Sequence, residues 1–289
     1  MRPGSISMRM PGTKVILFNA AAVLVAGAAL IAVGKSALMS PTTAPCSERY
    51  THAMRFSLMR GGAPLTTVDL QATLGGKDLG VAENVTIRPV TNAAFPAAMT
   101  VSLHKGTTAP QDTAAGGMSF PWWPRSLQDK PAACLAYDVL LPADFDFHRG
   151  GTLPGLTGAS SSEGGDGFSA PLAWRSDGRA GVTTKITQDA QTHRFIAERE
   201  SVTLPRGRWV RLEEEVALNA PKKADGVLRV WVDGSLAVER TNMTYRASPD
   251  VALSGVAAEV FYGAGDANSA AAAPKDSRIS LSPFEIRWQ

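Results

Sequence analysis

The sequence predicts an all-β domain, a jelly-roll β-sandwich, preceded by an N-terminal transmembrane or signal helix. Short runs that alternate apolar and polar residues recur from residue 54 onward, and Gly and Pro fall mainly between these runs. Helical periodicity is weak over the same region, which favours two packed sheets. The helix is predicted from an uncharged, largely apolar run at residues 15–34.

The N-terminal run has the features of an export signal. Three basic residues precede it: Arg2, Arg9 and Lys14. A positive segment followed by an apolar core is typical of a secretory signal, and this run is about as long as a membrane-spanning helix needs. We expect residues 1–35 to be a signal anchor, with a cleaved signal peptide as the alternative. Either way the following domain is expected outside the cytoplasm, in the periplasm or extracellular space.

The excess positive charge of the chain lies in this first segment. Residues 1–35 hold four Lys and Arg and no acidic residue, so residues 36–289 carry 25 basic residues against 26 acidic ones. A nearly neutral exported domain gives no reason to expect a nucleic-acid partner. Residues 36–47 are polar and contain two prolines. They are expected to link the membrane anchor to one folded domain at residues 48–289.

The predicted strands follow the alternating runs in order. They are residues 54–59, 67–74, 84–90, 99–105, 134–141, 168–175, 181–188, 209–218, 227–234, 255–262 and 278–288. In one of them, Leu228, Val230 and Val232 form the better core face. The Asp-Gly pair at 233–234 then predicts a tight turn that returns the chain as a hairpin. Two segments rich in small residues are expected to be loops: 105–118 and 270–273.

The chain has two cysteines, Cys46 and Cys134. In an exported protein they can form one disulfide, but the sequence does not show whether they lie close enough, so both states stay open. Two cysteines without tightly spaced histidines do not make a structural zinc site, and we expect neither a metal nor a cofactor. The isolated histidines His52, His104 and His193 are expected to be surface or hydrogen-bonded residues.

Common enzyme motifs are missing from the sequence, including the nucleophile elbow, the P-loop and the zinc-protease helix. The aromatic pair Trp122-Trp123 has two interpretations. It could stack on sugar rings, because an aromatic face suits the C–H groups of a pyranose, or it could be a core or rim feature. Trp174 is expected to be a core residue, with a stacking surface for a sugar as the alternative.

The most informative part of the chain begins with CLAYDVLLPADFDFHRGGTLPGLTG at residues 134–158, followed by GFSAPLAWRSDG and DGVLRVWVDG. In this order the segments resemble the polysaccharide lyase family 14 domain, of the alginate and glucuronan lyase type, over roughly residues 120–289. The resemblance implies a β-jelly roll and an acidic polysaccharide partner. Within residues 145–158 we expect Phe145 and Phe147 to pack inward. A bend beneath a groove is expected from four residues: Gly150, Gly151, Pro154 and Gly155.

A lyase that acts on a uronate must neutralise the carboxylate, remove the C5 proton and protonate the departing O4. The resemblance implies a Lys, a Ser with an Arg two residues on, and paired tyrosines. This chain has Thr152 at the Lys position, retains Ser169, and has Pro171 at the Arg position. The tyrosine positions fall near Thr183 and Lys185. Because neither Thr nor Pro can neutralise a carboxylate, the resemblance leaves open a diverged lyase or a carbohydrate-binding pseudoenzyme.

Other residues could build a basic patch for an anionic sugar. The candidate substrate-binding residues are His148, Arg149, Thr152, Ser169, Arg175 and Lys185. The alternative for Arg149 and Arg175 is that they are solvated charges at the rim of the fold. The sequence thus predicts an exported, membrane-anchored protein that binds or cleaves an acidic polysaccharide such as alginate or glucuronan. The alternative is a non-catalytic structural or protein-interaction jelly roll of the cell envelope.

Overall fold

The computed structural model describes residues 44–91, 93–108, 116–160, 165–263 and 271–289, with backbone only at 198–201. The predicted anchor, most of the predicted linker, and parts of both predicted loops (109–115 and Ala270) lie outside these residues. Over the described ranges, no helix is long and apolar enough to cross a bilayer. The folded unit spans Ala44–Gln289, so the last residues of the predicted linker belong to it.

Strands make up most of the described chain. In chain order they are β1 His52–Arg55, β2 Met59–Arg60, β3 Ala63–Pro64, β4 Val85–Pro89, β5 Ala97–Leu103, β6 Met118–Trp122, β7 Ala132–Leu140, β8 Gly151–Ser160, β9 Gly167–Trp174, β10 Arg179–Gln188, β11 Gln191–Thr203, β12 Trp209–Ala217, β13 Gly226–Val232, β14 Ser235–Met243, β15 Val251–Tyr262, β16 Ser277–Leu281 and β17 Glu285–Trp288. The helices are short: α1 Cys46–Arg49, α2 Thr67–Leu74, α3 Val81–Asn84 and a 3-10 turn at Arg125–Leu127.

Two antiparallel sheets pack face to face as a β-sandwich, as predicted. The larger has the order β14-β13-β12-β7-β16-β5-β4, with β17 pairing both β7 and β1. The smaller has the order β11-β10-β9-β8-β15-β6. Side chains from both sheets form the main core, for example Leu135 and Val230 from the larger sheet and Leu156 and Leu172 from the smaller. Burial of these apolar faces stabilises the sandwich.

The predicted strand at residues 67–74 is wrong, because this segment is the helix α2. The hydroxyl of Thr66 accepts a hydrogen bond from the backbone N–H of Asp69 at 3.1 Å, and the Asp69 carboxylate accepts one from the backbone N–H of Thr66 at 3.1 Å. This capping box fixes the helix start, and Gly75 ends the helix at φ 63°. Local capping therefore outweighs the alternating pattern here.

The β13–β14 hairpin is confirmed. Val232 pairs with Ser235, and the two-residue turn between them has positive φ at both positions, 47° and 76°. The predicted core residues of β13 are buried in the main core. Trp231 on the opposite face is also buried, because it packs with Tyr50 and the two cysteines in a second cluster.

The N-terminal end of the described chain is fastened to the outer face of the larger sheet. Cys46 and Cys134 form a disulfide with their Cα atoms 5.7 Å apart. The carboxylate of Glu213 accepts hydrogen bonds from the backbone N–H and the hydroxyl of Ser47, both at 2.9 Å. Glu215 accepts from the Arg49 guanidinium at 2.7 Å and from the Tyr50 hydroxyl at 2.7 Å. A covalent bond and a charged network therefore hold α1 in place.

In the segment at residues 145–158, both phenylalanines are buried, as predicted. Trp174 is a core residue, and its indole N–H donates to the carbonyl of Phe147 at 3.2 Å. The expected bend is only partly correct, because the chain turns before β8, with φ 91° at Gly150. Pro154 and its neighbour instead lie within β8, where the register shifts at a bulge. A bulge tolerates a proline because the residue there makes no ladder hydrogen bond.

Candidate functional site

The outer face of the smaller sheet brings the residues of the predicted site onto one surface. Lys185 of β10 and Thr157 of β8 are the direct cross-strand neighbours of Ser169 on β9. Thr152 is opposite Ala173 four residues further along β9. Directly opposed residues, and residues two apart on one strand, share a face. The predicted positions on β8, β9 and β10 therefore face away from the core together.

The centre of this face is recessed and made of small residues. One line of positions crosses the sheet: Pro121, Ala257, Gly155, Pro171 and Thr183. Thr183 is only 3% exposed although it does not face the core. Among the described residues, its hydroxyl has no hydrogen-bond partner. Because its oxygen is closed off from solvent, this unpaired hydroxyl costs free energy in the folded protein.

One end of the face is basic and open. Lys185 and Ser169 line a cavity of about 470 Å³ together with Asp166, Thr187 and Thr192. Arg194 of β11 is the direct cross-strand neighbour of Lys185, so two cationic side chains lie side by side on the same face. An anionic group bound at this end would be attracted by both positive charges.

The opposite end of the face holds Arg175 and Thr152. The Arg175 guanidinium lies over Gly181, with Nε 3.1 Å from the position that a Cβ would take there, and Nη2 donates to the carbonyl of Val182 at 3.2 Å. The Thr152 hydroxyl is buried and donates to the carbonyl of Gly263 at 3.0 Å. Ala173, the cross-strand neighbour of Thr152, lies four residues after Ser169 on β9. This separation corresponds to a distance of about 13 Å along the strand.

His148 and Arg149 lie in the turn just before β8. The backbone N–H of His148 donates to the Asp146 carboxylate at 2.8 Å, and Arg149 is exposed. Both precede Gly150, which packs against the backbone of Trp174 at the Arg175 end of the face. The six predicted binding residues are therefore divided between the two ends, with Ser169 and Lys185 at one and the other four at the other.

Glu259 of β15 is a charged residue of this face that the sequence reasoning missed. It is opposite Ser119 of β6, on the same face as Ala257 two residues before it. Burial raises the pKa of the Glu259 carboxyl, the positive charge of Lys185 lowers it, and burial outweighs the charge. A usable sign was present in the segment GVAAEVFY, because Glu259 is its single charged residue and alternates with two core positions, Ala258 and Val260.

Two polar groups of the larger sheet support the groove floor from below. The buried carboxyl of Glu214 accepts a hydrogen bond from the backbone N–H of Leu156 at 2.7 Å. The Tyr137 hydroxyl donates to the carbonyl of Pro154 at 2.9 Å. Burial raises the pKa of Glu214 well above its usual range. These bonds satisfy backbone groups beside the β8 bulge and hold the strand in position.

The domain is a β-sandwich whose smaller sheet has small residues across the middle of its outer face and basic side chains near both ends of that face. The chain belongs to the polysaccharide lyase 14 family, whose family model matches residues 91–284. No curated protein sequence gives a significant match to the chain.

Solved structures of alginate lyases have the same fold. The enzyme from Aplysia kurodai is 21% identical with a TM-score of 0.65, over 83% of this chain and 99% of that one. The enzyme from a Chlorella virus is 21% identical with a TM-score of 0.59, over 77% of this chain and 97% of that one. A variant of the alginate lyase Aly36B in complex with an alginate trisaccharide is 16% identical with a TM-score of 0.55, over 82% and 98%.

Proposed function

We propose that this chain is an exported jelly-roll protein that binds an acidic polysaccharide, such as alginate or glucuronan, along the outer face of the smaller sheet. The observation that carries the proposal is the position of Lys185, which lines the open cavity with Ser169 and has Arg194 as its cross-strand neighbour. A uronate polymer presents a carboxylate on each sugar. Charge-assisted hydrogen bonds from Lys185 hold such a carboxylate, and the hydroxyl of Ser169, which lines the same cavity, bonds to the sugar.

The residue at the position where the resembling lyases carry a lysine supports binding without the family's usual chemistry. Thr152 there is neutral, buried and already hydrogen-bonded to Gly263. Pro171 carries no charge at the family's arginine position. Neither residue can neutralise the substrate carboxylate or carry the proton. We therefore predict that the chain lacks the acid and base groups that the family's usual reaction needs.

A second candidate function is β-elimination through a different pair, favoured by the interaction between Lys185 and Glu259. Lys185 would neutralise the uronate carboxylate. Glu259 in its ionised form would take the C5 proton, the C4–C5 double bond would form as the bond from C4 to O4 breaks, and the proton would pass to O4. The raised pKa of Glu259 makes its carboxylate a stronger base than an exposed one, which suits a group that accepts and then returns a proton.

Export belongs to the same proposal. The basic residues before the apolar run at 15–34 support a signal anchor that leaves the domain outside the cytoplasm. Alkaline extraction of membranes from cells that express the full chain tests this, because an anchored protein stays with the membrane. Release of a shortened chain would show that the segment is a cleaved signal instead.

Retention on immobilised alginate and glucuronan tests the binding proposal. Wild-type protein should be retained at low salt and released as ionic strength rises, because screening weakens contacts between exposed charges. Lys185→Ala should reduce the affinity about tenfold, the effect of losing one charge-assisted hydrogen bond. Lys223→Ala is the matched control, since this lysine is exposed in the turn between β12 and β13.

The same samples separate the candidate functions. Growth of the ultraviolet absorbance of an unsaturated uronate, abolished by Glu259→Gln, would establish elimination. Retention without this absorbance supports a binding protein. If neither polymer is retained, the proposal is wrong and the structural or protein-interaction alternative takes its place.

A further inference from the structure

We propose a second sugar subsite, separate from the groove, in a cleft at the β6 edge of the smaller sheet, where a uronate unit of the same polysaccharide would bind against Trp123 and Lys77. The cleft has a volume of about 660 Å³ and lies between β1, the β2–β3 hairpin, the end of α2 and β6. This inference rests on the proposed function, because it concerns the same polymer.

The cleft has an aromatic wall that is open to solvent. Trp123 is 56% exposed. Trp122 beside it packs edge-on against Phe56, with the ring centroids 5.4 Å apart, and both rings line the cleft. A rigid base therefore holds an exposed indole at the mouth of the cleft. An exposed indole on a fixed support is suited to stacking on the C–H face of a pyranose.

The charge of the cleft matches an acidic sugar. Among the described residues that line it, three are basic and none is acidic: Arg55, Arg60 and Lys77. Two of the three are held by ion pairs, Arg55 with Glu285 and Arg60 with Asp69. Because carboxylates already pair with both arginines, the positive charge that can attract a sugar carboxylate is concentrated at Lys77.

Lys77 places a positive charge next to the aromatic side chain of Trp123. Its ammonium group lies 5.2 Å from the centroid of the Trp123 ring, within the range of a cation–π contact. A sugar stacked on this indole would have its carboxylate within reach of the lysine. A neutral sugar would use only the stacking surface, so the pairing favours a uronate.

The cleft lies beside the groove, at the β6 edge of the same sheet. Pro121 lines the cleft and is the direct neighbour of Ala257, which is opposite Gly155 in the groove floor. From β10, which carries Lys185, to β6 is four strand spacings, about 19 Å. One polymer lying across the strands would contact Lys185 at one end and the cleft at the other, whereas a short oligosaccharide would occupy one of them.

Calorimetric titration of the full-length protein with an alginate trisaccharide and with polymeric alginate tests the subsite. Trp123→Ala and Lys77→Ala should each weaken polymer binding about tenfold and leave trisaccharide binding at the groove unchanged. Lys185→Ala should weaken both. Matched controls are Val68→Ala, an exposed apolar residue outside the cleft, and Lys223→Ala. Because Trp123 and Lys77 are at the surface, thermal melts should show that both variants stay folded.

The outcomes separate this inference from the proposed function. If the two cleft variants bind the polymer as tightly as the controls while Lys185→Ala does not, the second subsite is wrong and the groove stands. Equal losses for trisaccharide and polymer in the cleft variants would also overturn it, because the cleft would then be the primary site. If the wild-type protein binds neither ligand, the proposed function itself fails.

Discussion

Removal of the Cys46–Cys134 disulfide should strongly destabilise the domain. The bond closes a segment of 88 residues, and restriction of the unfolded chain by a loop of that length is worth about 4–5 kcal/mol. For a domain of this size, each kcal/mol changes the melting temperature by about 2–4 °C, so the loss should be on the order of 10 °C. The contacts of Glu213 and Glu215 with α1 remain in the reduced protein, so α1 can still occupy its native position.

Calorimetric melts of three samples measure this effect: oxidised wild type, wild type with reductant, and the double variant Cys46→Ser/Cys134→Ser. The reduced wild type isolates the covalent bond, because it buries no new hydroxyl. Reductant should not change the melting of the double variant, which controls for effects of the reagent. If reduced and oxidised wild type melt within about 2 °C of each other, the loop-closure reasoning is refuted.

Three further changes test the support and floor of the groove. Glu214→Gln should have a higher unfolding free energy than wild type at neutral pH, and this difference should shrink toward pH 4. Because the pKa of Glu214 is raised in the folded protein, the protonated carboxyl contributes its full stabilisation below the unfolded-state pKa. That contribution is lost as pH rises through the folded-state pKa. A pH-independent difference in unfolding free energy would contradict this. Thr183→Val should raise the unfolding free energy by about 1 kcal/mol, whereas a loss of stability would show that the hydroxyl has a partner. Tyr137→Phe should cost about 1 kcal/mol in denaturant unfolding, because it leaves the carbonyl of Pro154 unpaired; an unchanged midpoint would count against that bond.

The sequence predicts much of the sandwich because alternation records which side of a strand meets the core. Ser169 and Lys185 could be placed on one face, since each position follows from counting along its own strand. The segment at 67–74 could not be assigned by the same count, because a capping box of Thr66 and Asp69 decides its structure.

The electrostatics of the groove were less accessible to sequence reasoning. The interaction of Glu259 with Lys185 depends on a register across four strands, and the separation of Thr152 and Arg175 from Lys185 depends on the same pairings. Alternation within one strand carries no information about its neighbours. Burial of Thr152 and its bond to Gly263 likewise arise from contacts more than a hundred residues apart.

A crystal structure of the protein with a bound alginate trisaccharide tests the central claim most directly. We expect sugar on the outer face of the smaller sheet, over the line through Pro171 and Thr183, with a carboxylate within hydrogen-bonding distance of Lys185. A trisaccharide bound only on the outer face of the larger sheet, or with its carboxylates directed away from Lys185, would contradict it.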